Sequence, residues 1–294
     1  MNCIAWIKAT RPKTLIASIF PVSIGASLAI SKAGEISILV FILCLVFSLL
    51  IQVATNLLND YFDFLRGADR DRSIAPNRFV SSGDLNPKSV RNVSYLILSV
   101  SFATGIVILQ ITNGPIELLL VGIVSVACAV LYTGGPFPLA YNALGDIFVL
   151  IFYGFIAVEV THYVLLLNQA VQYSPNYFAG LSVGCMTNLL LVTNNYRDYQ
   201  EDEKNEKKTL IVVFGRKFGF YFYLSLLICS LCVCPILDPK LRYTIFCLPF
   251  GIMALSRFHK AENKRDFDTL LSLSAFCLLF SSILTITGII LEPN

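Results

Sequence analysis

Apolar runs long enough to cross a bilayer recur along the whole of this 294-residue chain, and they constrain its fold more than any other feature. Lipid offers the backbone no hydrogen-bond partners, so such runs fold as helices that satisfy their own backbone. A spanning helix needs about 20 predominantly apolar residues. Nine runs are read here, at roughly 14–32, 37–59, 91–111, 115–132, 143–168, 178–199, 218–237, 242–257 and 268–290. Only 14% of the residues are charged, against about 25% in a soluble domain, which excludes a soluble domain carrying one anchor. The expectation is an all-α polytopic membrane protein, nine transmembrane helices around a central cavity, forming a single membrane-embedded domain over residues 1–294. Residues 2–13 set Ile4, Trp6 and Ile7 against Lys8 and Arg11, the pattern of an interfacial segment. Charge and Pro12 interrupt this stretch before any apolar core forms, so no signal peptide is expected.

Basic residues orient the chain, because cytoplasmic loops are enriched in Lys and Arg. With nine spans, the N-terminal segment and the loops after spans 2, 4, 6 and 8 share one side, and they hold 19 of the 22 Lys and Arg residues. Lys32, Lys240 and Arg242 fall on the other side. The N-terminus is therefore expected to be cytoplasmic. No nucleic-acid partner is expected. Of nine cysteines, Cys229, Cys232 and Cys234 form the one cluster. No His lies nearby, so small buried hydrophobes are the favoured reading over a soft-metal site.

Two acid-rich stretches end apolar runs 135 residues apart. One reads Asn56-Leu57-Leu58-Asn59-Asp60-Tyr61-Phe62-Asp63, the other Asn194-Asn195-Tyr196-Arg197-Asp198-Tyr199-Gln200-Glu201-Asp202. Helical spacing puts Asn56, Asp60 and Asp63 on one stripe, and Asn194, Asp198 and Asp202 on another. The shared Asn-x-Tyr-x-Asp pattern, four spans apart, suggests two four-helix halves facing one cavity, plus a ninth helix. Acids at a membrane boundary are costly to hold and commonly functional. Four of them around a polar hole suit Mg²⁺, a hard cation that takes one or two carboxylates plus substrate phosphates. Arg66, Arg70, Arg72 and Arg78 follow the first stretch, and Lys204, Lys207 and Lys208 the second. Guanidinium groups grip phosphate bidentately and lysines act as point charges, although a mixed charged loop is ordinarily a solvated face. The chemistry implied is ionisation of an allylic diphosphate whose tail lies in lipid, and capture of the cation by an electron-rich partner.

These residues resemble the UbiA superfamily of intramembrane prenyltransferases over nearly the whole chain. Three further stretches narrow the resemblance to the 1,4-dihydroxy-2-naphthoate prenyltransferase branch. They are Trp6 with Arg11-Pro12-Lys13-Thr14-Leu15, Gly67 with Asp69 after Asp63, and Tyr132-Thr133-Gly134-Gly135-Pro136-Phe137-Pro138-Leu139-Ala140-Tyr141 followed by Leu144-Gly145-Asp146. Pro76-Asn77-Arg78 and Lys207-Lys208-Thr209-Leu210 also fit. The resemblance implies that Asp60 and Asp63 hold one Mg²⁺ and Asp198 and Asp202 a second, with Asn56 and Asn59 positioning nearby. It makes Arg78, Arg66, Lys204 and Lys208 candidates for diphosphate contacts. Tyr132 and Tyr141 belong to a loop capping the acceptor, and Asp146 is a candidate for orienting the acceptor hydroxyl or accepting its proton. Asp146 also suits a helix N-terminus for its charge alone.

The activity implied is transfer of a polyprenyl group from polyprenyl diphosphate to 1,4-dihydroxy-2-naphthoate with loss of diphosphate and CO₂, in a bacterial inner membrane. Rival acceptors are 1,4-dihydroxy-6-naphthoate and 4-hydroxybenzoate. A secondary transporter built on repeats is the rival from another class. Two departures stand out. Ala75 replaces a Gly, and Glu159 and His162 lie at i, i+3 in apolar sequence, where they could pair, line an acceptor pocket or bind a metal.

Overall fold

A computed structural model describes residues 3–68 and 78–292. Among these residues the chain is helical throughout, with no strand. Helix α1 (Cys3–Ala9) leads through a 3-10 turn at Pro12–Thr14 into α2 (Ile16–Ala33), α3 (Ile38–Arg66), α4 (Pro87–Thr112) and α5 (Glu117–Leu131). Helix α6 (Gly145–Val149), a π-helical turn (Leu150–Ile156) and α7 (Ala157–Leu166) form one rod. Then come α8 (Tyr177–Arg197), α9 (Tyr199–Lys204) and α10 (Leu210–Phe214). A second rod joins α11 (Arg216–Ile228), a π-helical turn (Cys229–Val233) and α12 (Cys234–Leu237). A 3-10 segment (Pro239–Cys247) feeds α13 (Leu248–Phe258), and α14 (Lys264–Leu291) closes the order.

Six of these rods are long and apolar enough to cross a membrane: Ile16–Ala33, Ile38–Arg66, Pro87–Thr112, Gly145–Leu166, Arg216–Leu237 and Lys264–Leu291. Large apolar side chains stand exposed on their outer faces, among them Ile42, Leu96, Ile147 and Ile283, as in a protein whose solvent is lipid. This is an integral membrane protein. The other three expected spans fall on helices that length and apolarity do not single out. Helix α5 has 15 residues, about 22 Å at 1.5 Å per residue, short of a core about 30 Å thick. Helix α8 is long enough but carries buried Thr187, Asn188, Thr193 and Asn195. The stretch from Pro239 to Phe258 begins as a 3-10 segment.

Local chemistry explains the boundaries. Ser37, Asn86 and Asn176 accept from backbone N–H groups at the starts of α3, α4 and α8, satisfying donors the helix leaves open. Asn263 and Asp266 form a capping box for α14. Helix α8 is the axis of the bundle, packed against α2, α11, α14 and the π-helical turn 150–156, with most of its residues buried. Helices α3, α4 and α5 pack together beside it. Between these groups a cavity of about 660 Å³ opens.

Candidate active site

The last turns of α3 carry Asn56, Asn59, Asp60 and Asp63, all buried. The helix stops immediately beyond them because Gly67 takes the left-handed conformation at φ 70° and returns its N–H to the Asp63 carbonyl. The second acid pair straddles a break: α8 ends at Arg197, Asp198 is the hinge, and Asp202 lies in α9. Asp198 and Asp202 are 8% and 5% exposed.

Each acid is met by a cation of the same chain. Asp60 Oδ1 accepts from Arg78 Nη1 at 2.6 Å and from Arg11 Nη2 at 3.0 Å. Arg78 Nη2 reaches Asp63 Oδ2 at 3.5 Å. Arg197 holds Asp198 through both carboxylate oxygens, at 2.6 and 2.9 Å, and Lys207 Nζ lies 3.2 Å from Asp202 Oδ1. Arg11 was an unplaced signature residue in the sequence. Pro12 disfavours the right-handed helical conformation at the preceding residue, and Arg11 sits at φ 53°, ψ 65°. A non-glycine residue held there is a marker of functional sites.

Residues 132–144 tie the two acid stretches together. Thr133 Oγ1 donates to Asn59 Oδ1 at 2.7 Å, and Tyr141 Oη to Asp63 Oδ1 at 2.8 Å. Burial, with Asp63 alongside, pushes the Tyr141 phenol above its ordinary pKa, so it stays a donor. Tyr141 O accepts from the Lys208 N–H, and the Ala143 N–H donates to Lys208 O. Asn205 Nδ2 closes the circuit on the Ala68 carbonyl at 3.0 Å. The two motifs, 135 residues apart in sequence, thus meet at one end of the bundle.

The cavity is lined by Asn56, Asn59, Asp60, Asp63, Arg78, Tyr132, Asp146 and Asp198 of the expected residues, and by Arg11, Lys13, Asn194, Asn195, Arg197 and Lys207 besides. Asp202, Arg66, Tyr141, Lys204 and Lys208 are not on its wall. Arg66 instead lies 4.8 Å over the Tyr141 ring and donates to the carbonyls of Thr133 and Gly135, so it fastens the loop. Lys204 and Lys208 are exposed. Lys207, their neighbour, is the lysine that faces inward, a distinction that sequence spacing alone does not carry. Asp69, Arg70, Arg72, Ala75, Pro76 and Asn77 lie outside the described residues.

Asp146 opens α6, 4% exposed, and its Oδ1 has no hydrogen-bond partner among the described residues. Asn188 Nδ2 binds the Asp146 carbonyl at 2.8 Å, which sets α6 against α8. Glu159 and His162 do not line the cavity. Glu159 accepts from Tyr173 Oη at 2.8 Å and from the Asn176 N–H at 3.0 Å, while His162 Nδ1 is 3.7 Å from its Oε2. Of the three readings, the two side chains lie beside each other, and Glu159 also fastens the 167–176 loop. Among the described residues no group of three or more His, Cys, Asp or Glu side chains is drawn close enough to hold a metal. The donors are nevertheless hard oxygens, four carboxylates with amides beside them, and these suit Mg²⁺.

The chain matches the UbiA prenyltransferase family over residues 18–284 and belongs to it. It is 32% identical over 217 residues to the 1,4-dihydroxy-2-naphthoate octaprenyltransferase of Bacillus subtilis, covering 74% of this chain and 68% of that one. Over 99% of its length it is 29% identical to UbiA prenyltransferase domain-containing protein 1 of Xenopus tropicalis, of which 83% is covered. A UbiA homologue from Archaeoglobus fulgidus, solved with GPP and Mg²⁺ bound, shares the fold with a TM-score of 0.66 at 13% identity, covering 96% of this chain and 99% of that one.

Proposed function

We propose that this chain is an aromatic polyprenyltransferase that joins the tail of a polyprenyl diphosphate to 1,4-dihydroxy-2-naphthoate, releasing diphosphate and CO₂ and giving demethylmenaquinone in its quinol form. The observation that carries the reading is a single cavity with acids from two distant motifs at one end and an apolar wall for the rest. A charged head and a lipid tail fit such a cavity together. The naphthoate octaprenyltransferase relatives support the choice of acceptor.

Asp60, Asp63, Asp198 and Asp202 would hold Mg²⁺, with Asn56 and Asn59 beside them. Mg²⁺ bound there would supply positive charge against the diphosphate, which would make it a better leaving group. Arg78, Arg11 and Lys207, which face the cavity, would close on the diphosphate oxygens. Arg66 is left out of that cradle because the 132–144 loop engages it, and Lys204 and Lys208 because they are exposed. The allylic C–O bond breaks with its electron pair leaving on diphosphate. The ring carbon that bears the carboxylate supplies the pair for the new C–C bond. The bond to the carboxylate then breaks, its electrons restore the aromatic ring, and CO₂ leaves. Asp146, with an open carboxylate oxygen, would orient an acceptor hydroxyl or take its proton, raising the electron density of the ring. Tyr132, at the same wall, would hold the acceptor under the 132–144 loop.

We also assign nine membrane crossings in one domain, with the N-terminus and both acid motifs on the cytoplasmic side of a bacterial inner membrane. The distribution of Lys and Arg supports that orientation. The test is purified protein offered radiolabelled polyprenyl diphosphate with a panel of aromatic acids, and products identified by mass. A prenylated naphthoquinol, formed with Mg²⁺ and lost in EDTA, is expected. Failure of every aromatic acceptor would overturn the reading.

A further inference from the structure

The wall of the cavity changes character about two helical turns from the acids. Toward the acids it is polar, and beyond that level Phe47, Phe102, Ile106, Leu119, Val160 and Val164 leave it mostly apolar, with Ser48 and Thr161 among them. Gln52 and Tyr153 stand at the boundary, both on the cavity wall. Gln52 is eight residues before Asp60 on α3, about 12 Å along the axis. Tyr153 is seven residues after Asp146 on its rod, about 10 Å away. Tyr153 Oη donates to Gln52 Oε1, so a hydrogen bond crosses the cavity from one rod to the other.

The backbone holds Tyr153 there. It sits in the π-helical turn 150–156, a feature that recurs at functional sites. The turn lets adjacent residues Phe152 and Tyr153 both face the cavity. The next residue, Gly154, lies directly on the backbone of α8: a Cβ on it would come within 2.7 Å of the Gly180 carbonyl oxygen. The depth of Tyr153 is therefore fixed by a contact that cannot yield.

The Tyr153 proton is spent on Gln52 Oε1. The amide N–H groups of Gln52 and the lone pairs of Tyr153 remain, and no partner among the described residues takes the Gln52 amide. Gln52 is buried, 8% exposed. An isoprenoid tail has no heteroatom, so a tail packed here would leave a desolvated amide unmet, a cost of about 1–3 kcal/mol. The diphosphate is claimed by the cations two turns away. The remaining substrate, the aromatic acceptor, carries oxygens. With one oxygen at Asp146 and another at Gln52 and Tyr153, the spacing along the rod suits ring oxygens on opposite edges, each with its own hydrogen bond.

We propose that Gln52 and Tyr153 are the specificity-determining pair for an oxygen substituent of the aromatic acceptor, a role that rests on the aromatic transfer reaction above. Neither residue touches the reacting carbons; both position the ring. The test uses the full chain in lipid nanodiscs, with Tyr153→Phe and Gln52→Leu compared with the wild type. Michaelis constants are measured separately for polyprenyl diphosphate and for 1,4-dihydroxy-2-naphthoate, and then for naphthol analogues that lack one oxygen. Tyr153→Phe should raise the acceptor constant about tenfold and Gln52→Leu more, each tenfold being about 1.4 kcal/mol. The constant for polyprenyl diphosphate should move less than about twofold, and the penalty should vanish on the analogue that lacks the recognised oxygen. A rise in the polyprenyl diphosphate constant, an equal penalty on every acceptor, or no change in either variant overturns the assignment. If the wild type transfers to no aromatic acceptor, the broader reading falls and takes this pair with it. If the wild type transfers and Tyr153→Phe is indifferent, the pair alone falls.

Discussion

Arg197 lays its guanidinium along the carboxylate of the residue next to it: Nε is 2.6 Å from Asp198 Oδ1 and Nη2 is 2.9 Å from Oδ2. Both side chains are at most 10% exposed. Such a fork satisfies both oxygens of the acid at once. A divalent ion that claims Asp198 has to displace it. Arg197→Gln is expected to tighten Mn²⁺ binding severalfold, read by electron paramagnetic resonance on the protein without substrate. The same variant should melt lower in EDTA, because removing one partner of a buried pair costs about 3–5 kcal/mol, and Mg²⁺ should restore more of that loss than in the wild type. Unchanged Mn²⁺ affinity would show that the pair is purely structural.

The acids themselves give a simpler expectation. Asp60→Ala and Asp198→Ala should each abolish prenyl transfer while detergent-solubilised protein keeps its helical circular dichroism. Loss of an interaction realised in the transition state lowers kcat and kcat/KM together. Turnover within about threefold of the wild type in both variants would refute the metal assignment.

Glu159 tests a different part of the molecule. Its two oxygens hold Tyr173 and the Asn176 N–H, and Asn176 in turn caps α8 through Ala179 and donates to Asp238 at 2.7 Å. Glu159→Ala should destabilise the protein by about 1–3 kcal/mol, as unmet buried partners do, and expose the 167–176 loop to protease, with the acceptor Michaelis constant unmoved. His162 packs on the same Tyr173 ring at 5.1 Å. The double variant Glu159→Ala, His162→Ala should therefore cost less than the sum of the singles. Strict additivity would mean that the two residues act independently, and a raised acceptor constant would move Glu159 into the pocket.

What the sequence could and could not disclose follows from the range of each interaction. Asp60 and Asp63 were legible because helical spacing and the membrane boundary are local facts, and Asp198 was legible for the same reason. Lys207 was not separable from Lys204 and Lys208, since the choice depends on where the chain turns after α9 and on the pairing of Lys208 with residues 141–143. Arg66 looked like an anion contact until the fold put Tyr141 under it. Helix α8 shows the opposite limit: a buried helix is free to carry Asn188 and Thr193, so apolarity alone does not single out a helix that matters to the site. In the sequence Tyr153 stands among Phe148, Phe152 and Phe155. Only a cross-bundle partner 101 residues away, Gln52, distinguishes it from them.

Gly154 connects packing to acceptor recognition most directly. A methyl group there would lie 2.7 Å from the Gly180 oxygen and 3.2 Å from the Gly184 Cα, all backbone, so no side chain can swing aside. Small residues at such crossings let membrane helices approach closely, and inserting a methyl forces the rods apart at a cost of about 1–3 kcal/mol. Gly154→Ala should lower the melting temperature and, by shifting Tyr153 away from Gln52, raise the acceptor Michaelis constant as Tyr153→Phe does. Gly122 supplies the control. It lines the same cavity, but its added methyl would meet only the Phe102 ring edge at 3.8 Å, so Gly122→Ala should leave melting within about 0.5 kcal/mol of the wild type. Equal behaviour of the two alanine variants would show that the contact between Gly154 and α8 does not set the position of Tyr153.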